Sequence, residues 1–422
     1  MLNFKKTTNL NINLICGHSS VVERLVANEK VEGSTPFARS KLMIKICIEG
    51  WRKINHSYAL VNQRQLIELS KYPIDLSHKD LEYYNRNWNE KLNFNGFTKE
   101  ENLILENIRS PEDQEFFDVV YRISFPFNFE KSNSKKLFVF GTSEYQNIDG
   151  LYLKCDIQNI NKNDNLKIIT PSNWSKKGFL KSGFKPTNIF VLPNGVETKS
   201  FYKIDDNQKI QIRKKINLKE SDFILSSIGA MTKNKGIEQL IIAFSILKKK
   251  YSNLKLILKD QSNLYNLKSN KILIDLKKTK YSKILNDDIL KDIILISQNL
   301  PINMLNELYN ITDCYVSPYL AEGFNLTPLE AAATGTPIIV TKGGSTDDYY
   351  DDSIGLQIES KTVNENNNTF LKPSLESLID CISNMILKKK TYNPQSMAQY
   401  VNNNYNWKLI TQKLLKTFEG KI

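Results

Sequence analysis

The chain of 422 residues has little of what most often announces chemistry. It carries three histidines, His18, His56 and His78, and no His-Glu-x-x-His, which excludes a histidine-built zinc site. Five cysteines, Cys16, Cys47, Cys155, Cys314 and Cys381, show no paired spacing. That argues against a zinc ribbon and a disulfide framework and fits a reduced, cytoplasmic protein. No run of about eighteen apolar residues occurs, so no transmembrane helix is expected. No Gly-x-Gly-x-x-Gly follows a strand and no Gly-Lys-Ser/Thr loop is present, so dinucleotide and P-loop enzymes are set aside. Internal repeats are absent too, and the Asn-rich NENNN near residue 366 reads as a loop.

What is present is core and positive charge. At 41% apolar residues the chain has enough hydrophobic surface for two domains, and its length exceeds what one core usually supports. The formal charge of +13 is spread through KKLF, LKKKYSN, LKKTKYSK and LKKKTYN, without aromatic interleaving on one element. This predicts a solvated lysine-rich surface and no nucleic-acid partner. A weaker alternative is peripheral contact with anionic lipid, close to a lipid-linked acceptor.

The first 42 residues do not read like the rest. From Cys16 to Ser40 neither helical nor strand periodicity holds, and the stretch resembles a translated transfer-RNA gene, with translation expected to start at Met43; a disordered extension or targeting peptide is the weaker alternative. Beyond it the pattern is regular. Ile44 to Ile48 reads as a buried strand, Glu49-Gly50-Trp51 as a turn and His56 to Leu69 as a helix. A polar stretch from Tyr72 to Asp113 is expected to form helices and loops. Further strands are predicted at Asp118 to Ile123, Leu137 to Phe140, Lys167 to Thr170 and Ile189 to Leu192. A second series runs through Phe223 to Ile228, Leu254 to Leu258, Ile293 to Ile296, Cys314 to Ser317 and Thr336 to Thr341. Strands alternating with helices predict an α/β protein with doubly wound parallel sheets.

The stretch AEGFNLTPLE, residues 321–330, concentrates the chemistry. Glu322 and Glu330 stand eight positions apart across a helix start, with Thr327 as the expected N-cap, Pro328 at the first helical position and Gly335 as the stop. Backbone N–H groups at such a start favour a phosphate. Thr327 to Glu330 is equally a capping box, in which Glu330 serves only the helix.

This stretch, with TKGGSTDD at residues 341–348, resembles the signature of retaining family 4 glycosyltransferases of GT-B architecture. The resemblance implies two Rossmann-like domains facing across a cleft: an acceptor domain over 43–200, a nucleotide-sugar domain over 201–400, and a C-terminal helix over 401–422 returning to the first. ITPSNWSKKGFLKSGF from Ile169 and VLPNGVETKSF from Val191 resemble the end of the first domain, with the hinge after Asn194-Gly195. Carried over, Glu322 faces the donor sugar and Glu330 the ribose, while the backbone of Gly323, Phe324, Asn325 and Leu326 holds phosphate. GAMTKNKG, residues 229–236, resembles the family's phosphate loop, with Lys235 and Gly236 in place and Ala230 where an arginine is usual; Lys233 or Lys259 stands in as its substitute. Gly50 lies in the loop that faces the cleft in such enzymes. The usual first-domain histidine is absent, and FVFGTSEY from Phe138 offers Thr142, Ser143 and Glu144 instead; His56 either reaches the cleft or only caps its helix.

The implied activity is metal-independent transfer from a nucleotide-sugar co-substrate, with no cofactor, to a glycan, lipid-linked or small-molecule hydroxyl. Alternatives are a catalytically idle binding subunit, or an epimerase or phosphorylase of the same fold. Asp347-Asp348 and Asp351-Asp352 are the acidic pairs at which a metal would bind if one did.

Overall fold

The structure, a computed structural model, describes residues 43–89 and 96–421. The transfer-RNA-like segment of the sequence, with its expected start at Met43, lies outside the described residues.

Six strands form a first sheet: β1 (Lys45–Gly50), β2 (Asp75–Asp80), β3 (Phe117–Ile123), β4 (Ser134–Phe140), β5 (Leu166–Thr170) and β6 (Ile189–Val191). Their order is β2-β1-β3-β4-β5-β6, with every neighbouring pair parallel. A second sheet holds β7 (Phe223–Ile228), β8 (Leu254–Lys259), β9 (Ile293–Ile296), β10 (Cys314–Ser317), β11 (Ile338–Thr341) and β12 (Gly355–Ile358). Its order is β12-β11-β10-β7-β8-β9, again parallel throughout. A hairpin of β13 (Ser360–Glu365) and β14 (Asn368–Pro373) stands apart from both.

Helices cover both faces of these sheets, so the central strands are continuously apolar. Ile46, Cys47 and Ile48 are buried in β1, and all four residues of β10 are buried. Register sets Ile46 beside Val119 and Tyr315 beside Ile338. The helix Trp407–Glu419 lays Trp407, Ile410, Leu414 and Phe418 into the core of the first sheet. Its approach explains Gly195: a Cβ there would meet the Trp407 ring at 2.6 Å, and next to it Val196 N–H donates to the Tyr405 carbonyl at 2.7 Å.

Three sequence expectations are corrected. Strand β2 lies inside the stretch expected to hold only helices and loops; it is an edge strand burying Ser77 and His78, so its sequence DLSHKD shows no apolar pattern. The last strand of the second series starts at Ile338 rather than Thr336, because Gly335, at φ 79°, and Thr336 still belong to the helix exit. In the hairpin, β13 is polar while β14 carries Phe370 and buried Leu371, and only the tip, in NENNN, is the expected loop.

Candidate functional site

In each sheet the strand order reverses once, between β1 and β3 in the first and between β7 and β10 in the second. Ligands of open α/β sheets bind at the carboxyl ends of strands flanking such a point. Here the loops after β1, β3 and β4 and those after β7 and β10 line one cavity of about 960 Å³.

The loop after β7 closes in a short 3₁₀ turn, Lys233–Lys235, and passes into the helix Ile237–Lys248 through Gly236 at φ 68°. A Cβ on Gly236 would lie 1.9 Å from the Pro318 carbonyl oxygen, so only glycine lets this loop reach the end of β10. Asn234 ties the two together: its carbonyl accepts from Leu320 N–H at 2.7 Å, and its amide donates to the Ala321 carbonyl at 2.9 Å. The same amide donates to Glu144 Oε2, at the end of the loop after β4, at 3.2 Å.

Lys235, the next residue, forms an ion pair with Glu322, whose side chain is only 6% exposed. Two carboxylates, Glu322 and Glu144, thus share one ammonium. Burial draws Lys235 down, but the two carboxylates outweigh it and raise the ammonium above its ordinary range. Desolvation by the cleft walls and repulsion from Glu322 push the Glu144 carboxyl up to about 7, against the pull of Lys235. Water still reaches Glu144 through the open cleft.

The helix after β10 spans Leu326–Ala333 and differs from expectation at its start. Asn325, in the left-handed region at φ 65°, turns the chain two residues earlier than Thr327. Thr327 is therefore inside the helix, where its hydroxyl accepts from Tyr315 at 2.7 Å, and Pro328 takes a first-turn position where no intrahelical N–H is needed. No side chain caps this helix, since the Asn325 amide is turned to Ser317 Oγ at 2.9 Å. Glu330 is likewise no capping-box partner: Oε2 accepts from the Tyr309 hydroxyl at 2.7 Å. Desolvation pushes the Glu330 carboxyl up to about 7, opposed by that hydrogen bond and by Arg64.

Of the residues singled out from sequence, Lys235, Glu322, Gly323, Phe324, Asn325, Leu326 and Glu330 line the cavity together. Gly50 and Gly236 do not; Gly50 ends β1 against Asn62, and Gly236 packs on Pro318. His56 does both things offered for it: Nδ1 accepts from Tyr58 N–H at 3.1 Å as the helix N-cap, and the ring lines the cavity with burial holding it down at about 4. Lys233 is exposed and outside the lining, whereas Lys259 is buried there, donating to the Asp260 carbonyl at 2.8 Å, with burial lowering its ammonium. Two groups of the site escaped the sequence reading, and Glu144 was named there only among the residues offered in place of a histidine. Glu144 had a signal, as the charged residue where a histidine is usual, but Tyr309 sits in an ordinary amphipathic helix and Arg64 in another, with nothing local to mark them.

Among the described residues no three His, Cys, Asp or Glu side chains are grouped to hold a metal ion. Asp347 accepts from Gly343 N–H at 3.0 Å, and Asp348 accepts from Asn173 N–H across the cleft at 2.6 Å.

Two facing Rossmann-like sheets with a shared cleft at their switch points define the GT-B class. Residues 208–372 match the family model described as Glycosyl transferases group 1. It is 27% identical to mannosylfructose-phosphate synthase of Agrobacterium fabrum over 162 residues, 38% of this chain and 34% of that one. It is 25% identical to lipopolysaccharide 1,2-N-acetylglucosaminetransferase of Salmonella typhimurium over 253 residues, 58% and 60% of the two chains. The chain thus spans 34% and 60% of the lengths of these curated relatives. A glycosyltransferase from Rickettsia africae ESF-5 superposes with a TM-score of 0.61 at 16% identity, over 90% of this chain and 98% of that one. Anabaena Alr3699/HepE, solved with UDP and glucose, gives 0.61 at 13% identity over 89% and 100%. At such identities these two likenesses establish the fold alone. No helix among the described residues is long and apolar enough to cross a membrane.

Proposed function

We propose that the protein is a retaining, metal-independent glycosyltransferase that moves a sugar from a nucleotide-sugar donor to an acceptor hydroxyl, in polysaccharide, cell-envelope or glycolipid synthesis. The observation that carries this reading is the Lys235–Glu322 pair beside an uncapped helix start, with Glu330 on the same cavity. Each part suits one part of such a donor. Glu330, held on one oxygen by Tyr309, accepts from ribose hydroxyls with the other. The N–H groups from Gly323 to Leu326, at the positive end of the helix, receive the diphosphate. Lys235 neutralises the diphosphate as it leaves, with buried Lys259 as the second cation where Ala230 supplies none. Glu322 orients the sugar, and Glu144 faces it from the acceptor side in the place of a histidine.

On this reading residues 43–200 hold the acceptor and residues 201–400 the donor. Attack comes from the face the diphosphate leaves, which retains the anomeric configuration, and a departing phosphate oxygen takes the acceptor proton. The relatives support the donor and the setting: HepE was solved with UDP-glucose, and the Salmonella relative is a lipopolysaccharide 1,2-N-acetylglucosaminetransferase.

A thermal-shift screen with UDP-, GDP- and ADP-sugars tests the donor. Ligand at a hundredfold over its Kd stabilises by about 2.7 kcal/mol, well above detection. No shift with any of the three overturns the proposal. Product NMR then reads the anomeric configuration, and loss of activity in EDTA overturns metal independence.

A further inference from the structure

The hairpin β13–β14 reaches across the cleft to clasp the loop after β4 in the first half. Thr369 N–H donates to the Tyr145 carbonyl at 2.7 Å, and Lys181 Nζ donates to Thr369 Oγ1 at 2.7 Å and to Gln146 Oε1 at 2.8 Å. The Asn147 amide donates to Asn368 Oδ1 at 3.4 Å. On its own side the hairpin is fixed by Leu371 N–H on the Leu320 carbonyl, at 2.7 Å. These bonds set its tip, Asn366 to Asn368, at the cavity mouth next to Asn147.

Turn chemistry accounts for asparagine at 366 and 367, which connect the strands with φ of 49° and 65°. It does not account for the aromatic rings on the wall of the same cavity. Tyr84, Phe125 and Tyr152 form a row there, with ring centroids 5.2 and 4.8 Å apart. All three line the cavity, and Tyr84 and Tyr152 are 52% and 38% exposed, an uncommon state for clustered aromatic rings.

We propose that this mouth is a subsite for an uncharged saccharide on the acceptor, gripped between the amides of the hairpin tip and the aromatic row. The inference rests on the transferase reading for the word acceptor, but not for the saccharide. Primary amides each offer donors and an acceptor, the pair a sugar hydroxyl needs, and the exposed rings match the apolar C–H face of a pyranose. A phosphate fits poorly. Lys181, the cation at the tip, is engaged with Gln146 and Thr369, and the Asp149 and Glu144 carboxylates line the same cavity.

Saturation-transfer NMR on the full chain with methyl glycosides of glucose, galactose, mannose and N-acetylglucosamine, and with maltotriose, tests the subsite. The variant Asn366→Gly/Asn367→Gly removes two amides yet keeps residues suited to the turn, and Tyr152→Ala removes an exposed ring. At least one saccharide is expected to bind through its ring protons, about tenfold more weakly in each variant. Thermal shifts by UDP-, GDP- and ADP-sugars stay as in the unsubstituted protein. The proposal is overturned if no saccharide binds, if both variants bind as the parent does, or if the protein binds only phosphatidylcholine vesicles carrying undecaprenyl phosphate. Saccharide binding lost in the variants, with no sugar nucleotide bound by the parent, would leave the subsite standing and remove the transferase reading.

Discussion

Replacing Glu330 by glutamine separates its charge from its shape. The amide oxygen still accepts from Tyr309, so the 2.7 Å hydrogen bond and the packing of the first helical turn survive, and only ionisation is lost. Desolvation raises the carboxyl from 4.5 to about 7 in the fold. Protons are therefore bound more tightly by the folded chain, and the sign follows: stability from this group is full below about pH 4.5, falls as pH rises, and is lost above about pH 7. Two and a half pH units correspond to about 3 kcal/mol, a ceiling reduced to about 1–2 kcal/mol because Glu330 is only half-buried. In thermal denaturation from pH 5 to pH 8, the unsubstituted protein is expected to lose a few degrees more than Glu330→Gln. Donor affinity moves the opposite way. If the ionised carboxylate holds the ribose, UDP binds more weakly as pH falls below 7, approaching tenfold per unit, while the glutamine variant binds weakly at every pH. Parallel stability profiles would refute the buried-carboxyl account, and parallel UDP profiles would refute the ribose role.

Three further outcomes follow from the same geometry. Lys235→Ala is expected to lower kcat by about 100-fold and to change donor KM far less, because a charge that builds on the leaving diphosphate is met in the transition state; steady-state kinetics with the donor found by thermal shift decides, and a pure KM effect refutes it. Arg64→Ala is expected to cost about 3–5 kcal/mol in denaturant unfolding. The buried guanidinium pairs with Glu101 and, at 3.2 Å, with Glu197, and its loss strands two carboxylates; a change under 1 kcal/mol would sink this. Glu144→Gln removes the second carboxylate around Lys235, so kcat at saturating donor, where the Glu330 effect on affinity drops out, should lose the inflection near pH 7; an unchanged kcat profile excludes Glu144 as the titrating group.

Most of the second sheet was legible because its strands are buried on both faces and read as short, mainly apolar runs. FILSSI, LKLILK and CYVS each mark a strand without help from neighbours. Edge elements were not legible for the opposite reason. Strand β2 and the hairpin β13–β14 are set by pairing with other strands, and their sequences carry little apolar pattern. In the site, Glu322 and Glu330 stood out as carboxylates across a helix start, and Lys235 through the resemblance of GAMTKNKG to a phosphate loop. Tyr309 and Arg64 did not, since a phenol or guanidinium on a helix gains its partner only through tertiary packing. The start of the helix Leu326–Ala333 failed for a local reason: Asn325 adopts a left-handed conformation, a choice the rule favouring Thr-Pro does not anticipate.

The two departures from the family pattern meet in one electrostatic arrangement. Ala230 removes a fixed cation from the donor side of the cavity, and Glu144 adds a carboxyl on the acceptor side, so both changes make the empty cleft more negative. Two features oppose that. Lys259, buried on the lining, returns a cation near the missing one, and Glu144 holds its proton up to about pH 7. On the proposed function, a diphosphate held at the helix start would add negative charge and draw Lys235 toward itself, removing the group that lowers Glu144 and leaving the ones that raise it. On that proposed pose Glu144 is expected to be neutral, able to donate or accept one hydrogen bond to a sugar hydroxyl. An activity profile of Glu144→Gln that matches the parent from pH 6 to pH 8 would refute this role.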